Sequence, residues 1–119
     1  MFSFYIHAET PAKKNSRINT KSGRSFPSKR YQEWHKFAMT EILSQHRPEK
    51  PVEHCHIVLT FIHGDLRRRD SDNGCSSILD LLVDAGILKD DNWKVVENIT
   101  ILNGYTKEKP TCLIQINEI

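Results

Sequence analysis

The alternation of apolar and polar positions divides the chain into six candidate elements. Residues 2–7, FSFYIH, alternate with a period of two and read as a strand. A polar stretch of about twenty residues, ETPAKKNSRINTKSGRSFPS, has no such period and predicts a loop whose length is uncommon in a small domain. From Ser28, a good N-cap, Tyr31, Trp34, Ala38 and Ile42 recur at helical spacing, and Pro48 is the stop signal. Residues 54–63 carry Ile57, Leu59 and Phe61 on one face and Val58, Thr60 and Ile62 on the other, the pattern of a central strand. A second helix is predicted over 73–85, with Ile78, Leu79, Leu82 and Ala85 as its buried stripe and Gly86 just past its end. Strands over 95–102 and 111–118 close the chain as a hairpin, joined by a loop containing Asn103-Gly104 and Pro110.

The order βαβαββ predicts an α/β (α+β) fold, a two-layer sandwich of a small mixed sheet covered by two helices. A length of 119 residues suits one domain over 1–119, and no internal repeat is present. With 38% hydrophobic and 27% charged residues the chain is too apolar to remain disordered. No apolar run approaches the roughly 18 residues of a membrane span, and the alternating N-terminus is unlike a signal peptide, so a cytoplasmic location is expected. Cys55, Cys75 and Cys112 are an odd number without close pairing and read as reduced fillers. The sequon at Asn98 is then idle.

A formal net charge of +2 hides a segregation of sign. Between residues 11 and 36, Lys13, Lys14, Arg17, Lys21, Arg24, Lys29, Arg30 and Lys36 face a single acid, Glu33. Between 70 and 98 there are seven acids and two lysines. Basic residues interleaved with Asn, Ser, Tyr31 and Trp34 fit a phosphate-binding surface, whereas an acidic cluster alone would repel a polyanion. Together they point to a polyanion brought to a metal.

The acids fall into two pairs within RRRDSDNGCSSILDLLVDAGILKDDNWKVV: Asp70 with Asp72, and Asp90 with Asp91. Asp70 and Asp72 lie where the chain enters the second helix, whose N-terminus favours negative charge, so Asp72 alone could be read as a cap. A helix of about twelve residues rises on the order of 18 Å, and the extended return at about 3.3 Å per residue can retrace that length. If the pairs meet, they form an all-oxygen site that suits Mg²⁺, with Mn²⁺ as an alternative. A calcium loop is excluded, because counting from Asp70 the glycine is fifth instead of sixth and the twelfth residue is Leu81. The triplet His54-Cys55-His56 matches no zinc spacing, and in a strand its cysteine points away from its histidines.

These motifs resemble those of the RusA-type Holliday-junction resolvases. RRRDSDN and LLVDAGILKDDNWKVV are similar to that family's basic run, D-x-D-N, helix ending in A-G, D-D and strand. TPAKKNSR and SKRYQEWHKFA are similar to its Pro- and basic-rich loop and following helix. The resemblance covers nearly the whole chain. It implies a homodimeric, magnesium-dependent endodeoxyribonuclease that makes paired nicks in four-way DNA junctions during recombination and repair, often encoded by phages or prophages. It carries the essential carboxylates onto Asp70, Asp72 and Asp91, with Asp90 as a less essential neighbour. No organic cofactor and no membrane partner is implied.

DNA contacts are expected from Lys13, Lys14, Arg17, Lys21, Arg24, Lys29 and Arg30, and from Arg67, Arg68 and Arg69. One departure stands out: the family usually has a lysine six residues after the first Asp, where this chain has Ser76, and Gly74 replaces a usual apolar residue. Serine keeps a hydrogen bond but no charge. Two other classes follow from the same residues, a DNA-junction-binding relative with weakened catalysis and a structural protein whose acids pair with Arg67, Arg68 and Arg69.

Overall fold

The computed structural model describes residues 1–12, 17–19 and 25–119, with side-chain surroundings for 1–12 and 27–119. Strand β1 (Phe2–Ile6) is followed by the short strands β2 (Arg17–Asn19) and β3 (Ser25–Pro27) and helix α1 (Lys29–Leu43). Then come β4 (Cys55–His63), α2 (Cys75–Asp84), β5 (Val96–Tyr105) and β6 (Thr111–Glu118). Four strands form one mixed sheet in the order β1-β6-β4-β5, and β2 and β3 pair as a separate antiparallel ribbon within the long polar segment. Apart from that ribbon the elements follow the expected βαβαββ order.

Strand β4 is central because it is apolar on both faces. It pairs parallel with β5, Leu59 opposite Ile101, and antiparallel with β6, Leu59 opposite Ile114. The expected closing hairpin is therefore corrected: β5 and β6 are consecutive in sequence but lie on opposite sides of β4. Asn103 and Gly104 are likewise not in a loop but in β5, where Gly104 lies opposite Ile62. A Cβ at 104 would stand 3.2 Å from Ile62 Cδ1, so this glycine serves close approach, not a turn.

Both helices cover one face of the sheet. Tyr31, Trp34, Ala38 and Ile42 are the buried residues of α1, at the spacing read from the sequence. The stripe of α2 differs: Ser77, Ile78, Leu81 and Leu82 are buried, while Leu79 and Ala85 are only partly so. These side chains join Phe4, Ile6, Ile57, Leu59, Phe61, Ile114 and Ile116 in one core. Each fully buried aliphatic of this kind stabilises by roughly 1.5–3 kcal/mol. On the other face, Val58, Thr60 and Ile62 are half-buried and Tyr5 and Leu102 are exposed.

The caps explain where the helices begin and end. Ser28 Oγ accepts from Tyr31 N at the start of α1. The helix stops at Leu43, five residues before Pro48, because Ser44 and Gln45 turn back onto Glu41 and Ile42. After α2, Gly86 at φ 72° donates to Val83 O and Ile87 donates to Leu82 O, the left-handed closure expected of this glycine. Cys55 and Cys112 are buried and Cys75 is half-buried, all as free thiols. Burial raises each thiol pKa, that of Cys112 to about 12, so these side chains act as filler.

Candidate active site

Asp70 and Asp72 sit in the segment 64–74 that leaves the C-terminal end of β4 and enters α2. Its backbone is pinned where the aspartates are: Asn73 N donates to Asp70 O, and Cys75 N to Asp72 O. The residue at the N-cap of α2 is Gly74, and no side chain caps this end. The capping explanation of Asp72 is thereby set aside. Both carboxylates are exposed and, among the described residues, neither takes a hydrogen bond or an ion pair.

The arginines just before them are used differently from one another. Arg69 is turned inward, only 8% of its side chain exposed, and its Nη2 pairs with Glu9 Oε1 at 3.1 Å and Asp65 Oδ1 at 2.9 Å. The Arg67 backbone N–H first, and Arg69 after it, hold the Asp65 carboxyl below the usual carboxylate range. Arg67 and Arg68 remain exposed and, with Arg30 from the first turn of α1 and with Asp70 and Asn73, line a cleft of about 480 Å³ whose floor is residues 10–12. Pairing of the acidic motif with the three arginines does not occur: Arg69 chooses Glu9 and Asp65. Among the described residues Lys29 makes a long exposed contact with Glu33, 3.8 Å. Lys13, Lys14, Lys21 and Arg24 lie outside the described residues, as does the side chain of Arg17.

Asp90 and Asp91 occupy the turn before β5, fixed by Asn92. Asn92 Oδ1 accepts from Lys94 N, Asn92 Nδ2 donates to Asp90 Oδ2, and Asn92 O accepts from Val95 N and Val96 N. Hydrogen bonds from Asp91 N and from Asn92 keep the Asp90 carboxyl below its ordinary range. Asp91 is shifted the other way: local desolvation raises its pKa first, and the neighbouring acids Asp90 and Asp80 add to it. Asp80, on α2, is a residue the acidic motifs did not single out. Its position in mid-helix gives no signal, and it meets Asp91 only because the chain doubles back along α2.

Asp70 thus lies at the cleft, with Asp72 two residues on in the same turn, and Asp91 lies near Asp80 of α2. No three His, Cys, Asp or Glu side chains among the described residues stand close enough together to hold one ion between them. His54 and His56 are exposed and Cys55 is buried, as an alternating strand requires, and His54 pairs with Glu97.

Comparison with known proteins identifies the family of the chain. The family model of endodeoxyribonuclease RusA matches residues 9–117. The crossover junction endodeoxyribonuclease RusA of Aquifex aeolicus is 31% identical over 88 residues, which span 74% of this chain and 70% of the relative. The matched span runs from Glu9, the partner of Arg69, through both acidic pairs and into the last strand, and on this ground the chain belongs to the RusA endodeoxyribonuclease family.

Proposed function

We propose that this protein is a divalent-metal-dependent endonuclease that resolves four-way DNA junctions by paired phosphodiester hydrolysis, acting in recombination and repair in the cytoplasm. One observation carries the reading. In a chain of this family, the unpartnered carboxylate of Asp70 shares a cleft with Arg30, Arg67 and Arg68, so cations that hold phosphate stand beside an anion that can hold metal. Asp70, Asp72 and Asp91 are assigned as the essential carboxylates and Asp90 as their neighbour.

The donor chemistry fits a hard cation. All four groups offer carboxylate oxygen, and the Asp91 carboxyl is shifted up by desolvation first and by the neighbouring acids Asp90 and Asp80 after it. Magnesium is ordinarily held by one or two carboxylates, with water and substrate phosphate completing its shell, so two separate acidic pairs suit it better than an ion requiring an all-protein cage. When bound, such an ion polarises a phosphoryl oxygen, activates water and stabilises the departing alkoxide. Mn²⁺ offers the same chemistry. The protein's own part is to hold the phosphates flanking the scissile bond with Arg67, Arg68 and Arg30.

A second reading rests on Ser76. It is exposed in the first turn of α2, at the position where the family usually carries a lysine, and a hydroxyl cannot neutralise developing charge. That favours a junction-binding relative with weakened catalysis. Incubation with a labelled four-way junction and with a linear duplex of the same sequence, each with Mg²⁺ and with a chelator, separates the readings. Metal-dependent cuts confined to the junction, lost in Asp70→Asn and Asp72→Asn while junction binding persists, support the enzyme. Salt-sensitive junction binding with no cut in Mg²⁺ supports the second reading, and normal cutting by the two Asn variants refutes the site assignment.

A further inference from the structure

At the C-terminal ends of β4 and β5, just before α2 begins, three polar side chains form a continuous line of hydrogen bonds that the proposed chemistry does not use. Glu9 Oε2 lies 2.8 Å from His63 Nδ1, His63 Nε2 lies 2.8 Å from Asn103 Oδ1, and Asn103 Nδ2 donates to Ser71 O at 2.9 Å. Ser71 is the residue between Asp70 and Asp72, so the line ends on the backbone that separates the two carboxylates. At its other end Glu9 Oε1 receives Arg69 Nη2 and, at 3.4 Å, the backbone N–H of Gly64. Arg69 Nη1 in turn donates to Arg67 O. The line therefore holds the segment 64–74 at Gly64, Arg67, Arg69 and Ser71, on both sides of the cleft arginines.

The chemistry of the line fixes its direction. The Ser71 carbonyl only accepts, so the Asn103 amide must turn its Nδ2 toward it and its Oδ1 toward His63. The Glu9 carboxylate also accepts. Both ring nitrogens of His63 face acceptors, with the Phe61 ring stacked 6.3 Å away and Tyr105 opposite in the β5 register. The side chains of His63 and Glu9 are mostly buried, 15% and 21% exposed, so water competes little for these bonds. Three residues, from the segment after β1, from β4 and from β5, are joined in one line whose last member, Asn103, reaches the Ser71 carbonyl.

We propose that Glu9, His63 and Asn103 are positioning residues that fix the Asp70–Asp72 turn for the ion and phosphate it holds, acting through the Ser71 carbonyl. This rests on the reading of Asp70 and Asp72 as the reacting carboxylates. Asn103 is exposed and supports no core contact, so its removal separates positioning from folding. Groups that orient metal-holding carboxylates typically contribute 10- to 100-fold to metal affinity or activity.

The test combines single and double variants with two readouts, kcat for junction cleavage and Mn²⁺ affinity of the DNA-free protein by electron paramagnetic resonance. Asn103→Ala and Asn103→Asp, the latter keeping the acceptor for His63 but turning a carboxylate oxygen toward the Ser71 carbonyl, are each expected to lower kcat and Mn²⁺ affinity about 10-fold or more. Junction affinity without metal should stay within about twofold and the melting temperature close to wild type. His63→Ala should behave alike, and His63→Ala combined with Asn103→Ala should lose no more than the worse single variant, because both break one line. Wild-type Mn²⁺ affinity and kcat in Asn103→Ala, or losses that multiply in the double variant, overturn the proposal. If wild type binds Mn²⁺ but cuts nothing, the enzyme reading fails and the Mn²⁺ affinities alone decide the positioning role; if wild type neither binds Mn²⁺ nor cuts, both fall.

Discussion

Asp90 and Asp91 are adjacent, yet their surroundings push them in opposite directions, and the difference has a measurable sign. Asp90 gains hydrogen bonds as a carboxylate, whereas Asp91 is desolvated and faces two other acids. For a carboxyl whose folded-state pKa is raised, the folded protein binds more protons than the unfolded chain in the window between the ordinary aspartate value of about 3.9 and the raised one. Stability from this group therefore falls as pH rises through that window, and at neutral pH its charge is a net burden. Asp91→Asn is expected to melt higher than wild type at pH 7 in a chelator, with the advantage shrinking as pH falls through the window. Added Mg²⁺ should raise the wild-type melting temperature and raise that of Asp91→Asn less; an equal rise in both proteins removes Asp91 from the metal site. The acidic pairs themselves were legible, because their chemistry is written in consecutive residues. Asp80 and Glu9 were not, since only the folded chain brings them to Asp91 and Arg69.

Among the elements, the segment around residues 10–12 is the joint between the basic loop and the acidic turn. Thr10 and Ala12 are buried against the start of α2, and Ser77 Oγ donates to Pro11 O at 2.6 Å in a buried bond. Gly74 permits the approach: a Cβ there would come within 2.8 Å of Thr10 Cγ2 and 2.9 Å of Phe61 Cε1, which accounts for a glycine in place of an apolar residue. Gly74→Ala should cost about 1–3 kcal/mol by overpacking. Ser77→Ala should cost about 1–3 kcal/mol by leaving a buried carbonyl unpaired. Chemical denaturation measures both, and a loss well under 1 kcal/mol in each would mean the joint is loose. With the root of the basic loop fixed, its charges are tested by salt: each contact removed from DNA should reduce the slope of log K against log salt by about 0.9. Comparing Arg67→Ala/Arg68→Ala with Lys13→Ala/Lys14→Ala/Arg17→Ala shows which set tracks phosphate, and an unchanged slope in either clears that set. Helix α1 was readable in full on its buried side because its periodicity is local. The pairing of β5 was not: Asn-Gly signals a hairpin only when the strands flanking it pair with each other, and here the partner of both is β4.

At the scale of the whole molecule, the sheet has one covered face and one open one. A row of Tyr5, Leu113, Thr60 and Leu102 crosses all four strands on the open side, with Val58 and Ile62 beside it. Two symmetric nicks require two sites, so the proposed reaction calls for a two-fold dimer, and this face is the apolar surface available for it. Sedimentation at micromolar concentration should give twice 13.8 kDa, and Leu102→Glu should shift it to the monomer. A monomer in the wild type, with and without junction DNA, would leave at most a single-strand nickase or a DNA-binding module. The number and type of layers followed from the sequence pattern, but the strand order could not, because the neighbours of β6 are set by contacts across nearly the whole chain. Phe2 pairs with Ile116, so β1 has no partner until β6 has been synthesised, and β4 lacks both neighbours until β5 and β6 arrive. A growing chain therefore holds its central strand with two bare edges until β5 is made and with one until β6 follows, which places folding at the slow, milliseconds-to-seconds end for its size and leaves nascent or truncated chains exposed to edge-to-edge aggregation.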